Sequence, residues 1–151
     1  MRAAFLLLTL GLIGCGEAVK DDHFAQDVKA EREASPPVVP GAVPVRVGEL
    51  GASFDACGAA GTTRHLDAGE TLPVRAAPFE TSPEIGRVAA GTQFFICTRS
   101  HDQRWMGIVY EDGGTLSPAC GVSSPVASRG SYEGPCRSGW ISSAFVKLIA
   151  G

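Results

Sequence analysis

Five cysteines (Cys15, Cys57, Cys97, Cys120 and Cys136) and three histidines (His23, His65 and His101) are the side chains best equipped for chemistry in this 151-residue chain. A thiol beside an imidazole makes a nucleophile, and thiols and imidazoles at short fixed spacing hold zinc. Neither pattern is written here. There is no C-x-x-C pair, and no histidine stands at zinc-ligand spacing from another, so no metal and no cofactor is expected. The H-E-x-x-H, G-x-S-x-G and phosphate-loop patterns are missing as well. His101 and Asp102 fall in "RSHDQR" and His65 in "TTRHLD", both with the composition of solvated turns. Asp67 and Glu70 flank a glycine turn and read as turn and solubility residues rather than an acid/base pair. No enzyme is expected. The informative feature is the odd cysteine count. Thiols of an exported chain tend to pair, so one of the five needs another use.

What precedes Cys15 says which one. The chain starts "MRAAFLLLTLGLIGCG", a lone Arg2 followed by an uncharged apolar run, Ala3–Ile13. That is the length of a signal-peptide apolar region. It falls short of the roughly 20 apolar residues that span a bilayer. Leu12-Ile13-Gly14-Cys15 resembles the bacterial lipobox. The resemblance implies that residues 1–14 are a signal peptide. It implies a diacylglycerol thioether on the Cys15 thiol, cleavage just before Cys15 and acylation of the new amine. One acyl chain binds a membrane marginally and two or more hold firmly. Gly16, rather than Asp, follows the cysteine. By resemblance to Gram-negative lipoproteins, this implies an outer-membrane anchor facing the periplasm.

Charge and composition divide the rest. Residues 16–34 carry a net charge of −3, while residues 35–151 carry −1. No basic face is implied, so nucleic acid is excluded as an expected partner. The acidic stretch has too few apolar positions to pack. The "SPPVVPGAVPV" that follows favours extended backbone, because each proline removes a donor and fixes φ. Residues 15–48 therefore read as an anchor site and flexible tether, and 49–151 as one domain whose compact part starts near Cys57.

Within that domain the apolar period is two. "TLPVRA" (Thr71–Ala76) alternates Leu72, Val74 and Ala76. "EIGRVAAGTQFFICTR" turns at Ala90-Gly91 and continues as a β-rich run, Thr92–Thr98. "RWMGIVY" alternates Met106, Ile108 and Tyr110 against Trp105 and Val109. "SGWISS" is β-favouring, and "AFVKLI" reads as one helical turn entering a last strand. Short strands with Gly and Pro turns predict a mostly β fold, a small barrel or sandwich. The expected core is Leu72, Val74, Ile85, Val88, Phe94, Ile96, Ile108, Ile141 and Val146. Four cysteines allow three pairings. The 15 residues between Cys120 and Cys136 have little apolar content and need a tie. That favours Cys120–Cys136, which leaves Cys57–Cys97.

The order of these segments resembles the bacterial SH3-like (SH3b) domain. "LPVRAAP" (Leu72–Pro78), "EIGRVAAGTQFFI" (Glu84–Ile96), "RWMGIVY" (Arg104–Tyr110) and "SGWISSAFVKL" (Ser138–Leu148) stand in that family's order. Ala76-Ala77 replaces its Ser-Gly, and Glu111–Pro135 is inserted where it has a tight hairpin. The resemblance implies a small SH3-like barrel, with the disulfide-tied insertion added. It implies a monomeric binding module for peptidoglycan peptides or an envelope protein. Ligand candidates are the aromatic residues Trp105, Tyr110, Tyr132, Trp140 and Phe79, with Arg75 and Arg137 to grip carboxylates through bidentate bonds. Two other readings stand beside it: a structural or accessory lipoprotein with no ligand groove, and an inhibitor that inserts loop 121–135 into an enzyme cleft.

Overall fold

A computed structural model describes residues 39–151. The signal peptide, Cys15 and most of the expected tether lie outside the described residues. The described residues run through nine strands: β1 (Arg46–Val47), β2 (Ala59–Thr63), β3 (Thr71–Arg75), β4 (Glu84–Ala89), β5 (Gln93–Arg99), β6 (Trp105–Tyr110), β7 (Gly130–Ser131), β8 (Arg137–Ser142) and β9 (Val146–Ala150). The fold is mostly β. Short 3₁₀ turns occupy Pro118–Cys120 and Ser143–Phe145, the second feeding directly into β9 as the "AFVKLI" pattern predicts. Among the described residues, no helix is long and apolar enough to cross a membrane.

Seven strands form one sheet in the order β4-β3-β8-β6-β5-β2-β9, and β1 and β7 form a separate pair. The period-two alternation sends Leu72, Val74, Val88, Phe94, Ile96, Met106, Ile108, Tyr110, Ile141 and Val146 into one buried cluster. Six of the seven strands contribute to it, so the sheet curls around this inner face. Three ladder irregularities, at Ala60/Gly61, Val74/Arg75 and Ile96/Thr98, add local twist. Gly139 is where β8 passes closest to the β3 backbone. A Cβ there would sit 3.0 Å from the carbonyl oxygen of Arg75 and against Val74, so only glycine lets β8 close on β3. Pro73 has no N–H to give, and β3 meets β8 at a single register pair, Arg75 with Trp140.

The sheet does not close into a barrel. β4 and β9 sit at opposite ends of the strand order and do not pair. The curl is fastened at one place by a side chain instead. Thr63 Oγ1 at the end of β2 donates to the Ala89 carbonyl (3.1 Å) and accepts from the Gly91 amide (2.7 Å). Eight of the nine expected core residues are buried. The exception is Ile85, which is 42% exposed. A bulge explains it: Gly86 pairs with Val74 and Glu84 with Arg75, so Ile85 is the extra residue on the open β4 edge, where the alternation is interrupted.

The outer face of the sheet is buried too. Phe95, Cys97, Trp105, Val109 and Trp140 point away from the inner core and are covered by Val45, Val47, Cys57, Cys120 and Val122. Leu116, Val126 and Tyr132 pack at the margin. The cover is tied by main-chain bonds: Gly48 N–H to Ala56 O (2.7 Å), Cys57 N–H to Val122 O (3.1 Å), and Tyr132 N–H to Val45 O (2.8 Å). Gly107 makes room for it, since a Cβ there would press on Thr98 and, at 3.3 Å, on Val45. Two expectations change. The stretch expected to end the tether is folded, with Val45 and Val47 at 2% and 8% exposure, so the folded unit includes residues 39–48. The insertion is not a bare loop, because its few apolar residues are the ones that pack.

Both disulfides form as favoured, Cys57–Cys97 and Cys120–Cys136. Each fastens part of the outer cover. In the chain-entropy account, closing loops of these lengths contributes about 4 and about 3 kcal/mol.

Candidate functional site

The residues expected to bind ligand do not converge. Trp105 is only 8% exposed and Trp140 only 4%, both within the outer core. The Trp140 indole N–H donates to the Val43 carbonyl (2.7 Å), so the chain's own Pro-rich segment occupies that ring. Tyr110 projects from the other side of the sheet into the inner core. Burial raises the pKa of its phenol, with the Arg137 guanidinium pulling the other way. The Tyr132 hydroxyl donates to the Cys120 carbonyl and accepts from the Cys136 amide, both at 3.0 Å, which makes it a staple across the disulfide loop. Burial raises its pKa as well. Phe79 is exposed.

The two arginines are engaged at home. Arg75 Nη1 donates to the Ser82 carbonyl (2.9 Å). Arg137 Nε pairs with Asp112 Oδ1 (2.9 Å) on an exposed edge. Arg137 and Tyr110 do share a cleft of 440 Å³, but Glu111 and Asp112 line it too. A carboxylate entering there would meet two acids before it could displace Asp112. The Glu111 carboxylate also approaches the sulfurs of Cys120 and Cys136. Those sulfurs are bonded to each other, so they are not thiolate ligands for a metal. Residues 121–135 are folded back on the domain: Val122 is buried, and Ala56 and Cys57 donate to the carbonyls of Ser124 and Val122.

A different concavity forms where β2 begins and β9 ends. Three adjoining clefts, of 290, 470 and 260 Å³, share Gly58 and Ala59. β2 places these two small residues between Ile96–Arg99 of β5 and Leu148–Ala150 of β9, because Ala59 pairs with Ile96 and Ala60 with Ala150. The absence of bulky side chains at 58 and 59 is what leaves the hollow. Its walls are apolar: Leu50, Leu148 and Ile149 stand 59%, 52% and 43% exposed. Its charges are two acids, Asp55 and Glu49, and the cation Arg99. Glu49 is held by Arg46 Nε (2.9 Å) and Thr98 Oγ1 (3.1 Å). Arg99 lines two of the clefts and makes no ion pair among the described residues, and neither does Lys147 of β9. A hollow with exposed apolar walls and a guanidinium outside any ion pair suits an apolar ligand whose carboxylate is aimed at Arg99.

Little in the sequence singles out this site. "GAA" at 58–60 carries no chemistry, and "VKLI" resembles buried strand. The signal that was available is the apolar pair Leu148-Ile149 in consecutive positions. A strand cannot bury both on one face.

No family model, no curated protein and no solved structure matches this chain.

Proposed function

We propose that this chain is a membrane-tethered envelope lipoprotein whose β domain is a binding module, taking a carboxylate-bearing peptide or protein segment in the hollow around Gly58 and Ala59. The resemblance of Leu12–Cys15 to a lipobox supports the anchor, and the resemblance of residues 71–149 to SH3-like domains supports a binding role. The observation that carries the choice of site is Arg99, exposed and without an ion pair among the described residues, at the rim of an apolar hollow. Trp105, Trp140, Tyr110 and Tyr132 are used in the two cores, and Arg137 is already paired.

The test is retention of the full chain on purified peptidoglycan sacculi and on immobilised envelope proteins, with Arg99→Glu alongside. Retention by either matrix that falls at least tenfold in the variant is the expected outcome. No retention on either at low salt, where a known binder is held, sinks the binding role. Mass spectrometry tests the anchor: Cys15→Ser should lose an acylated N-terminus and leave the membrane fraction.

A further inference from the structure

We infer that Glu111, Cys120 and Cys136 form a zinc site when the two cysteines are thiols, so that the base of the 121–135 loop is held either by the sulfur–sulfur bond or by a thiophilic divalent cation. This site is separate from the Gly58–Ala59 hollow and draws on neither the hollow nor the membrane anchor.

Three donor atoms converge there. A carboxylate oxygen of Glu111 and the sulfurs of Cys120 and Cys136 lie within 4.8 Å of one another. Among the described residues, no other group of three His, Cys, Asp or Glu side chains brings its donor atoms so close. Glu111 is half-buried and makes no ion pair among the described residues. The other disulfide differs: Cys57 and Cys97 are both buried and belong to no such group.

The cysteines stay together without their covalent bond. The Tyr132 hydroxyl ties the Cys120 carbonyl to the Cys136 amide at 3.0 Å each, and both bonds are to main chain, so neither depends on the sulfurs. Ser117 caps the 3₁₀ turn that ends at Cys120. Opening the bond therefore leaves two thiols on Cα atoms 5.2 Å apart. A tetrahedral zinc ion with bonds of about 2.3 Å to sulfur wants its donors about 3.8 Å from one another. From 4.8 Å, the carboxylate oxygen has at most about 1 Å to travel.

Charge favours a cation at this point. As thiolates, the two cysteines and Glu111 are three anionic donors around one position, and a metal ion relieves their repulsion. The 440 Å³ cleft lined by Glu111, Asp112 and Cys136 gives it a way in, with two acids against the single guanidinium of Arg137. The acids that turn a carboxylate away attract a metal ion. Two thiolates in the set select zinc over calcium or magnesium, and water from the cleft completes the tetrahedron. Entry of the metal exchanges protons for the ion: two thiols and Zn²⁺ give the dithiolate complex and two protons. From the disulfide, a dithiol supplies two electrons and two protons and leaves as its own disulfide.

The experiment uses the full chain carrying Cys15→Ser, reduced with a phosphine under argon and titrated with Co²⁺ as a coloured stand-in for Zn²⁺. One Co²⁺ per chain is expected, with a thiolate-to-cobalt absorption band in the near ultraviolet that added Zn²⁺ removes. The disulfide form should show no band. Glu111→Gln should weaken Co²⁺ binding at least tenfold. Cys120→Ser with Cys136→Ser should abolish the band, and Cys57→Ser with Cys97→Ser should keep it. Backbone amide exchange in β6 is read in every variant to certify the fold. No band in the reduced chain overturns the site. So does a band that survives Cys120→Ser with Cys136→Ser, or one lost in a folded Cys57→Ser, Cys97→Ser variant. Binding indifferent to Glu111→Gln overturns the three-donor set, and loss of β6 protection on reduction that Zn²⁺ does not restore overturns a site built into the fold.

Discussion

The curled sheet buries both its faces, and the two burials have different origins. The inner face is filled by the strands themselves, each alternating a side chain inward from β3, β4, β5, β6, β8 and β9. The outer face is filled by contributions from far apart in the chain, Val45–Cys57 before the sheet and Leu116–Cys136 inserted in it. The inner core needs only the period of the strands. The outer core needs a cover, and the cover has too little apolar content to hold itself. It is held instead by two disulfides, a tyrosine hydroxyl and a handful of main-chain bonds. The lesson is that an aromatic pair such as Trp105 and Trp140 on the outside of a small sheet need not face a ligand. Here the chain supplies its own occupant.

Breaking the inner core should be the most damaging change. Phe94 has no exposure, and Phe94→Ala should cost about 3–5 kcal/mol, measured as a shift in denaturant midpoint at constant slope. Cys120→Ser with Cys136→Ser should cost about 3 kcal/mol, and its character should differ. Amide exchange should rise in Arg46–Cys57 and 121–135, while β6 stays protected. If β6 loosens equally, the two cores are one cooperative unit and the contrast drawn above fails.

Tyr132→Phe sharpens the contrast further. It leaves the Cys120 carbonyl and Cys136 amide without their partner and should cost about 1–3 kcal/mol. It should also alter the alkaline limb of stability. The folded-state pKa of Tyr132 is raised by burial above its ordinary value. The folded state therefore holds that proton more tightly than the unfolded one. The resulting stability is fully present below the unfolded value of about 10 and is lost as pH rises through the folded value. The wild-type chain should weaken across that window, and Tyr132→Phe should remove the part of the decline due to this residue. Tyr110, raised in the same direction by burial, contributes with the same sign from the inner core. The smallest effect is expected from Arg137→Ala. Its exposed pair with Asp112 should be worth under about 1 kcal/mol, and a calorimetric melt should barely move.

Much of the inner core was legible. Leu72, Val74 and Val88, then Phe94, Ile96 and Ile108, announce themselves by strict alternation between turn residues, and only Ile85 breaks the parity. The disulfide pairing was legible too, because a long polar loop between two cysteines needs closing. The outer layer was not. β1 and β7 are two residues each and pair across more than eighty positions, Arg46 with Ser131, which no local pattern can encode. β2, "AAGTT", lacks the bulky β-formers that mark a strand. It is a strand because β5 and β9 leave room for one of small residues between them.

The sequence by itself determined the mostly β character and most of the inward set of side chains, and favoured one cysteine pairing among three, since each depends on neighbours a few residues apart. Tertiary structure decided three other things. The sheet curls without closing. The tryptophans face the chain's own N-terminal segment. And Arg99 stands over a hollow at the β9 end of the sheet. These depend on which distant segments reach a surface first and leave which groups without partners, and that is a property of the assembled molecule rather than of any stretch of it.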